Sequence, residues 1–166
     1  EDICIFTPTY NRAHTLSLLF ESLVGQNSQR FYWLVVDDGS TDETEALIKR
    51  FSLASPFRVV YVKQENGGKQ RAYNTGVEHC ESELFFCVDS DDVLVPSAVE
   101  TILNAWEAYR ADASVAGLVG LCGRDENTPL GTGMPQSSGT ITFWDLYYKK
   151  GHQNTSKFFP FDSNLM

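Results

Sequence analysis

Short apolar runs of strand character alternate with stretches of helical period between residues 3 and 121, and this alternation constrains the fold more than any other feature of the chain. Ile3–Phe6, Tyr32–Val36, Phe57–Val62, Leu84–Val88 and Val115–Leu121 read as strands. From Thr15 onward, Leu16, Leu19, Phe20, Leu23 and Val24 recur at the spacing of one helix face. Ser40-Thr41-Asp42-Glu43 has the form of a capping box ahead of a second helix, whose apolar face continues through Leu47, Ile48 and Phe51. Asn66-Gly67-Gly68 breaks the third strand, and the next helix runs through Tyr73, Gly76, Val77 and Cys80, with Gly76 permitting close packing. Pro96 suits the first turn of a fourth helix with the stripe Val99, Ile102, Leu103 and Trp106. Strands and helices in this order predict an α/β fold, a Rossmann-like, mainly parallel sheet sandwiched by helices. Such sheets bind ligands beyond the carboxyl ends of their strands.

The pattern decays after Gly123. Residues 124–140 are rich in Gly, Pro, Thr and Ser and predict a loop. Ile141–Tyr148 reads as a short strand running into a helix, and Gly151–Met166 has no period and reads as an irregular lid. The expected organisation is one domain, with residues 1–123 as its ligand-binding part and 124–166 as an incomplete segment of the same domain.

A net charge of -9 argues against a nucleic-acid partner, since phosphate backbones are held by basic surfaces. It still allows a small anionic substrate if a cation mediates. No stretch approaches the roughly 20 apolar residues that span a bilayer. The opening residues are not expected to act as a signal peptide, since they lack its charged-then-apolar pattern. Cys4, Cys80, Cys87 and Cys122 show no CxxC spacing and are expected to be reduced thiols, which fits a cytoplasmic compartment. His14, His79 and His152 form no spaced cluster.

The polar clusters fall at the expected strand ends. Asp89-Ser90-Asp91-Asp92 crowds three carboxylates after the fourth strand. On an extended segment Asp89 and Asp91 would point the same way. Their mutual repulsion favours a hard divalent cation, Mn²⁺ or Mg²⁺. The competing reading is a helix-capping turn. Asp37-Asp38 after the second strand offers a carboxylate to a base N–H or a ribose hydroxyl, and turn chemistry alone explains Gly39 and Ser40. In Thr7-Pro8-Thr9-Tyr10-Asn11-Arg12, Pro8 is expected to end the first strand. Tyr10 offers an aromatic face and Arg12 a phosphate partner. Lys69 and Arg71 open a helix behind a glycine-rich turn, a setting that attracts phosphate.

Together these segments resemble the inverting family 2 glycosyltransferases of GT-A fold: Thr-Pro-Thr-Tyr-Asn-Arg at 7–12, Val-Val-Asp-Asp-Gly-Ser-Thr-Asp at 35–42, Asn-Gly-Gly-Lys-Gln-Arg-Ala-Tyr-Asn-Thr-Gly at 66–76 and Asp-Ser-Asp-Asp at 89–92, in that order. The resemblance implies that Pro8 and Tyr10 line a nucleobase pocket and that Asp38 bonds the base, with Asp37 in support. It places Lys69 or Arg71 near the donor and Asp89 at the ribose or the metal. It makes Asp91 the main ligand of Mn²⁺ or Mg²⁺, with Asp92 as the alternative. It implies transfer with inversion from a nucleotide-diphosphate sugar, by analogy UDP-linked, to a saccharide or lipid-linked acceptor. Such enzymes work in the cytoplasm, often in peripheral contact with the inner membrane face. The family's general base lies on the acceptor side, where Asp145 and Asp162 are the candidates. Two other readings stand beside this one. A haloacid-dehalogenase-type phosphatase would use Asp89-Ser90-Asp91-Asp92-Val93 but leaves the preceding segments unexplained. A non-catalytic sugar-nucleotide-binding module would need no base.

Overall fold

The computed structural model of the chain describes residues 1–125, 128–129 and 155–160. The first two strands, β1 (Ile3–Thr9) and β2 (Phe31–Asp37), are buried along their whole length. Parallel strands covered on both faces are continuous apolar runs of this kind. They pair in parallel from Ile3↔Phe31 to Thr9↔Asp37. β3 (Val59–Lys63) adds in parallel to β2, and β4 (Leu84–Cys87) adds in parallel to the other side of β1. The α/β class expected from the sequence is the one observed.

Alternation along β1 and β2 sends successive side chains to opposite faces. Ile3, Ile5, Phe31, Trp33 and Val35 pack under α1 (Ala13–Val24), α2 (Thr44–Ala54) and α4 (Ala98–Glu107). Cys4, Phe6, Tyr32, Leu34 and Val36 face α3 (Lys69–Glu78). Phe20 of α1 and Phe51 of α2 stack at 4.1 Å over the first layer. Gly76 of α3 lies against the Phe6 ring so closely that a Cβ there would collide with it. Cys4 and Cys80 are buried, and they and Cys87 are free thiols.

The sheet is larger than the sequence suggested. Its order is β3-β2-β1-β4-β8-β5, where β5 is Leu118–Leu121 and β8 is Thr155–Pro160. β8 lies antiparallel between β4 and β5. A strand therefore replaces part of the lid expected over Gly151–Met166. Thr-Ser-Lys-Phe-Phe-Pro carries no alternation, and the segment is extended because the edges of β4 and β5 supply its backbone partners. Within the expected 124–140 loop, β6 (Gly123–Asp125) and β7 (Thr128–Pro129) form a small antiparallel ladder. Ile141–Tyr148, Asp145, His152 and Asp162 lie outside the described residues.

Four local expectations also change. Pro8 does not end β1, which continues to Thr9 paired with Asp37. β4 stops pairing at Phe6, so Pro8 borders an open side of the strand, where prolines are tolerated. Pro96 precedes the fourth helix, which begins at Ala98. Val115 belongs to a turn closed on Asp112, and β5 starts only at Leu118. Ser40 and Glu43 form no capping box, because α2 begins at Thr44 and Ser40 is engaged elsewhere. No helix among the described residues is long and apolar enough to cross a membrane.

Candidate functional site

Beyond the carboxyl ends of β1, β2 and β4 lies a cleft of about 340 Å³ lined by Pro8, Thr9, Tyr10, Arg12, Asp38, Lys69, Ala72, Asp89, Ser90 and Asp91. Its first wall is the β1–α1 connection. Asn11 takes a left-handed backbone, φ 52°, which asparagine accepts more readily than most residues. In that position its N–H donates to Ser40 Oγ at 2.8 Å and its Oδ1 accepts the Thr41 N–H at 2.8 Å. Asp42 Oδ2 accepts the N–H of Ala13, the first residue of α1, while its Oδ1 accepts from Thr44 at the start of α2. The cap expected from Ser40 and Glu43 is supplied by Asp42, for two helices at once. This bracing leaves Tyr10, 48% exposed, at the cleft mouth.

The second wall extends from β2. Asp37 is fully buried beneath the cleft and is consumed structurally: Oδ1 accepts the Ser40 N–H at 2.8 Å and Oδ2 accepts the Tyr61 hydroxyl at 2.5 Å. Burial and this bond to a carboxylate push the Tyr61 hydroxyl pKa upward. Asp38 does face the cleft. Its Oδ1 accepts Gln64 Nε2 at 2.6 Å and the Gly67 N–H at 3.0 Å, and its Oδ2 accepts the Gly68 N–H at 2.7 Å. Burial alone would raise this carboxyl. The bonds from Gln64, Gly67 and Gly68 and the charge of Arg71 outweigh burial and hold it below the usual carboxylate range. Gly39 turns the chain at φ 84°, a left-handed backbone that favours glycine, and a Cβ there would press tightly on Asn66. Arg71 leans against Gly67 and is not among the residues lining the cleft.

The third wall is the acid run. Asp92 N–H bonds to Asp89 O at 3.1 Å, so residues 89–92 form a turn rather than the extended segment assumed from sequence. Gln26 anchors the stretch between this turn and α4, donating to Val95 O at 2.8 Å and accepting the Val99 N–H at the start of the helix. Asp89 and Asp91 nevertheless line the same cleft, each facing a different cation. Lys69 Nζ lies 2.7 Å from Asp89 Oδ1, and Arg12 Nη1 lies 3.8 Å from Asp91 Oδ2. Burial would lower the Lys69 pKa, but Asp89 raises it further, so the ammonium persists. Partial desolvation, then the charges of Asp89 and Asp91, push the Asp92 carboxyl up. Among the described residues no three acidic, His or Cys side chains converge to form a metal cage. Any divalent ion here would need oxygen ligands from a bound substrate besides one or two carboxylates, as Mg²⁺ sites commonly do.

Of the residues predicted from sequence, the fold brings Pro8, Tyr10, Arg12, Asp38, Lys69, Asp89 and Asp91 to one cleft. Asp37, Arg71 and Asp92 lie behind or beside it. Sequence reasoning missed Thr9 and Gln64. Thr9 is 4% exposed, and its hydroxyl has no partner among the described residues although it borders the cleft.

The profile described as Glycosyl transferase family 2 matches residues 4–164. The chain belongs to that family. The chain is 30% identical over 161 residues to glycosyltransferase GlyA of Streptococcus pneumoniae, covering 95% of this chain and 21% of GlyA. Residues 1–349 of TarS from Staphylococcus aureus share the fold, with TM-score 0.71 at 22% identity over 96% of this chain and 47% of that one. In complex with UDP-GlcNAc the same TarS fragment gives TM-score 0.63 at 25% identity over 82% of this chain and 38% of that one. The mannosyltransferase PcManGT of Pyrobaculum calidifontis, solved with GDP-Man and Mn²⁺, gives TM-score 0.62 at 26% identity over 74% of this chain and 35% of that one. The chain thus spans about a fifth of GlyA and less than half of the TarS fragment.

Proposed function

We propose that this chain is the donor-binding part of a glycosyltransferase that moves a sugar from a nucleotide-diphosphate donor, by preference a UDP-sugar, to a saccharide or lipid-linked acceptor with inversion. The observation that carries this reading is that Tyr10, Asp38, Lys69, Asp89 and Asp91, from four segments far apart in sequence, line one cleft. Tyr10 offers its ring to the base, and Asp38 is an ionised acceptor for a base N–H. Lys69 and Arg12 bring positive charge to the cleft for the pyrophosphate. The TarS complex with UDP-GlcNAc supports the nucleotide-sugar class, and the PcManGT complex supports a metal.

A divalent ion, Mn²⁺ or Mg²⁺, fits the residues present. Their donors are carboxylate oxygens, and the charges of Asp89 and Asp91 add to burial in pushing the Asp92 carboxyl up. Asp91 is the principal candidate ligand, since its side chain is 56% exposed and its ion pair with Arg12 is long. Asp89 is secondary because Lys69 engages both its oxygens. When bound, such an ion stabilises the charge that builds on a departing diphosphate. The general base is assigned to the acceptor side, with Asp145 and Asp162 as its candidates. Work on the cytoplasmic side, in peripheral contact with the membrane and with a place in polysaccharide assembly, belongs to the same reading.

A thermal-shift screen of nucleotide-sugars with and without Mn²⁺ tests it, because a ligand that binds the native state raises the melting temperature. A shift with UDP-sugars, larger with Mn²⁺, is expected. No shift with any nucleotide-sugar would overturn the proposal. Metal-dependent hydrolysis of the donor by the chain would separate an enzyme from a module that only binds.

A further inference from the structure

We propose that Thr75 and Gln64 form a hydrogen-bond relay that fixes Asp38 as an acceptor-only contact and so selects donors whose base presents an N–H, uracil in particular, against cytosine. The inference rests on the reading of Asp38 as the base contact.

The relay runs through three elements. Thr75 sits on α3, Gln64 directly after β3, and Asp38 directly after β2. Gln64 is pinned first by its backbone, whose N–H donates to Asp37 O at 2.9 Å. Its side-chain amide then spans from Thr75 Oγ1, 2.7 Å from Oε1, to Asp38 Oδ1, 2.6 Å from Nε2. Only one orientation of the amide satisfies both ends. An ionised carboxylate accepts and cannot donate, so the Gln64 NH₂ must face Asp38. That leaves the amide oxygen toward Thr75, whose hydroxyl donates to it. Without that hydroxyl, a flipped amide would set oxygen against oxygen at Asp38, and a proton would be drawn in to relieve the repulsion.

The charged group acting on Asp38 from α3 is Arg71, which also favours the ionised form. Gln64, Gly67 and Gly68 make four contacts to the roughly four acceptor positions of the carboxylate, but the Gly67 N–H is shared between both oxygens, and its longer branch, 3.2 Å to Oδ2, is the one a base N–H would replace. What remains for the cleft is an acceptor. Uracil N3–H satisfies it, whereas cytosine presents a lone pair at N3 and is repelled.

The test is calorimetric titration of UDP and CDP into the 166-residue chain and its variants at neutral pH. The unsubstituted chain is expected to bind UDP at least about tenfold more tightly than CDP, the scale of one well-made charged hydrogen bond. Asp38→Asn is expected to erase or invert that ratio, because the new amide would turn its NH₂ to the cleft. Gln64→Leu and Thr75→Val are expected to lower the ratio by about threefold or more, and Thr75→Ser, which keeps the hydroxyl, to restore it. Gln64→Glu would set two carboxyls to share a proton and lower the ratio further. If Gln64→Leu does not fold, Thr75→Val, the loss of one half-buried hydroxyl, carries the test. A ratio unchanged in Thr75→Val while Asp38→Asn has lost it overturns the relay and leaves the base contact standing. A ratio near one in the unsubstituted chain, or one untouched by Asp38→Asn, overturns the base contact and the relay with it.

Discussion

The ammonium of Lys69 lies 2.7 and 2.8 Å from the two oxygens of Asp89, tying the first residue of α3 to the acid turn beyond β4. Both side chains are substantially exposed, 64% and 42%. Such a pair stabilises the free protein by no more than about 1 kcal/mol. Its importance lies in placing a cation beside the carboxylates where a diphosphate would sit. Lys69→Met is expected to leave the melting temperature nearly unchanged and to weaken UDP-sugar binding by roughly ten- to a hundredfold, read by calorimetry. Unchanged affinity would remove Lys69 from the donor site.

Asp91 pairs with Arg12 only at 3.8 Å and is exposed. Asp91→Ala is expected to abolish the Mn²⁺-dependent part of the thermal shift produced by UDP and to retain the part UDP produces alone. If the Mn²⁺ increment survives in that variant, the ion is held by other groups.

Gly76 faces the Phe6 ring with no room for a methyl group. Alanine gains about 1 kcal/mol in helix propensity over glycine, while overpacking a helix against a sheet costs about 1–3 kcal/mol. Gly76→Ala is therefore expected to destabilise the chain, seen as a lower urea midpoint with an unchanged slope. A higher midpoint would show that α3 can move off β1.

Asp38 is held below the ordinary carboxylate pKa of 3.8. The unfolded chain therefore binds this proton more readily than the folded one. The resulting stability is present above pH 3.8 and is lost as the pH falls through the lower folded value. Asp38→Asn is expected to remove that contribution, so its stability should decline less steeply than that of the parent chain as the pH falls below 3.8. Parallel acid-unfolding curves for the two proteins would contradict the hydrogen-bond environment described for Asp38.

The core was legible because local pattern and burial agree there. β1, β2 and β4 are apolar runs buried on both faces, and the stripes of α1, α2 and α4 fall on the layer they cover. The candidate site was legible where a residue's chemistry shows at its own position, as with Tyr10, Asp38 and Asp91. It was not legible where function depends on a partner distant in sequence. Gln64 between Lys63 and Glu65 looks like a solvated strand end, and only the fold reveals Asp38 on one side of its amide and Thr75 on the other. Asp42 was hidden behind a capping motif that Ser40 and Glu43 imitate. Asn11 carried a signal that could have been used, as an asparagine after Tyr10 in a tight strand-to-helix connection is a natural left-handed residue. β8 was missed because its extended form comes from its neighbours.

The insertion of β8 between β4 and β5 bears on how the chain is made. β1 to β4 can assemble as soon as they leave the ribosome, but the outer edge of β4 pairs with Thr155–Pro160, far downstream. Until that segment is synthesised, the nascent protein exposes a row of unsatisfied amides and carbonyls beside the apolar Leu84–Cys87. Closing this seam must wait for residue 155 to emerge, and until then the β4 edge is open to pairing with a strand of another chain.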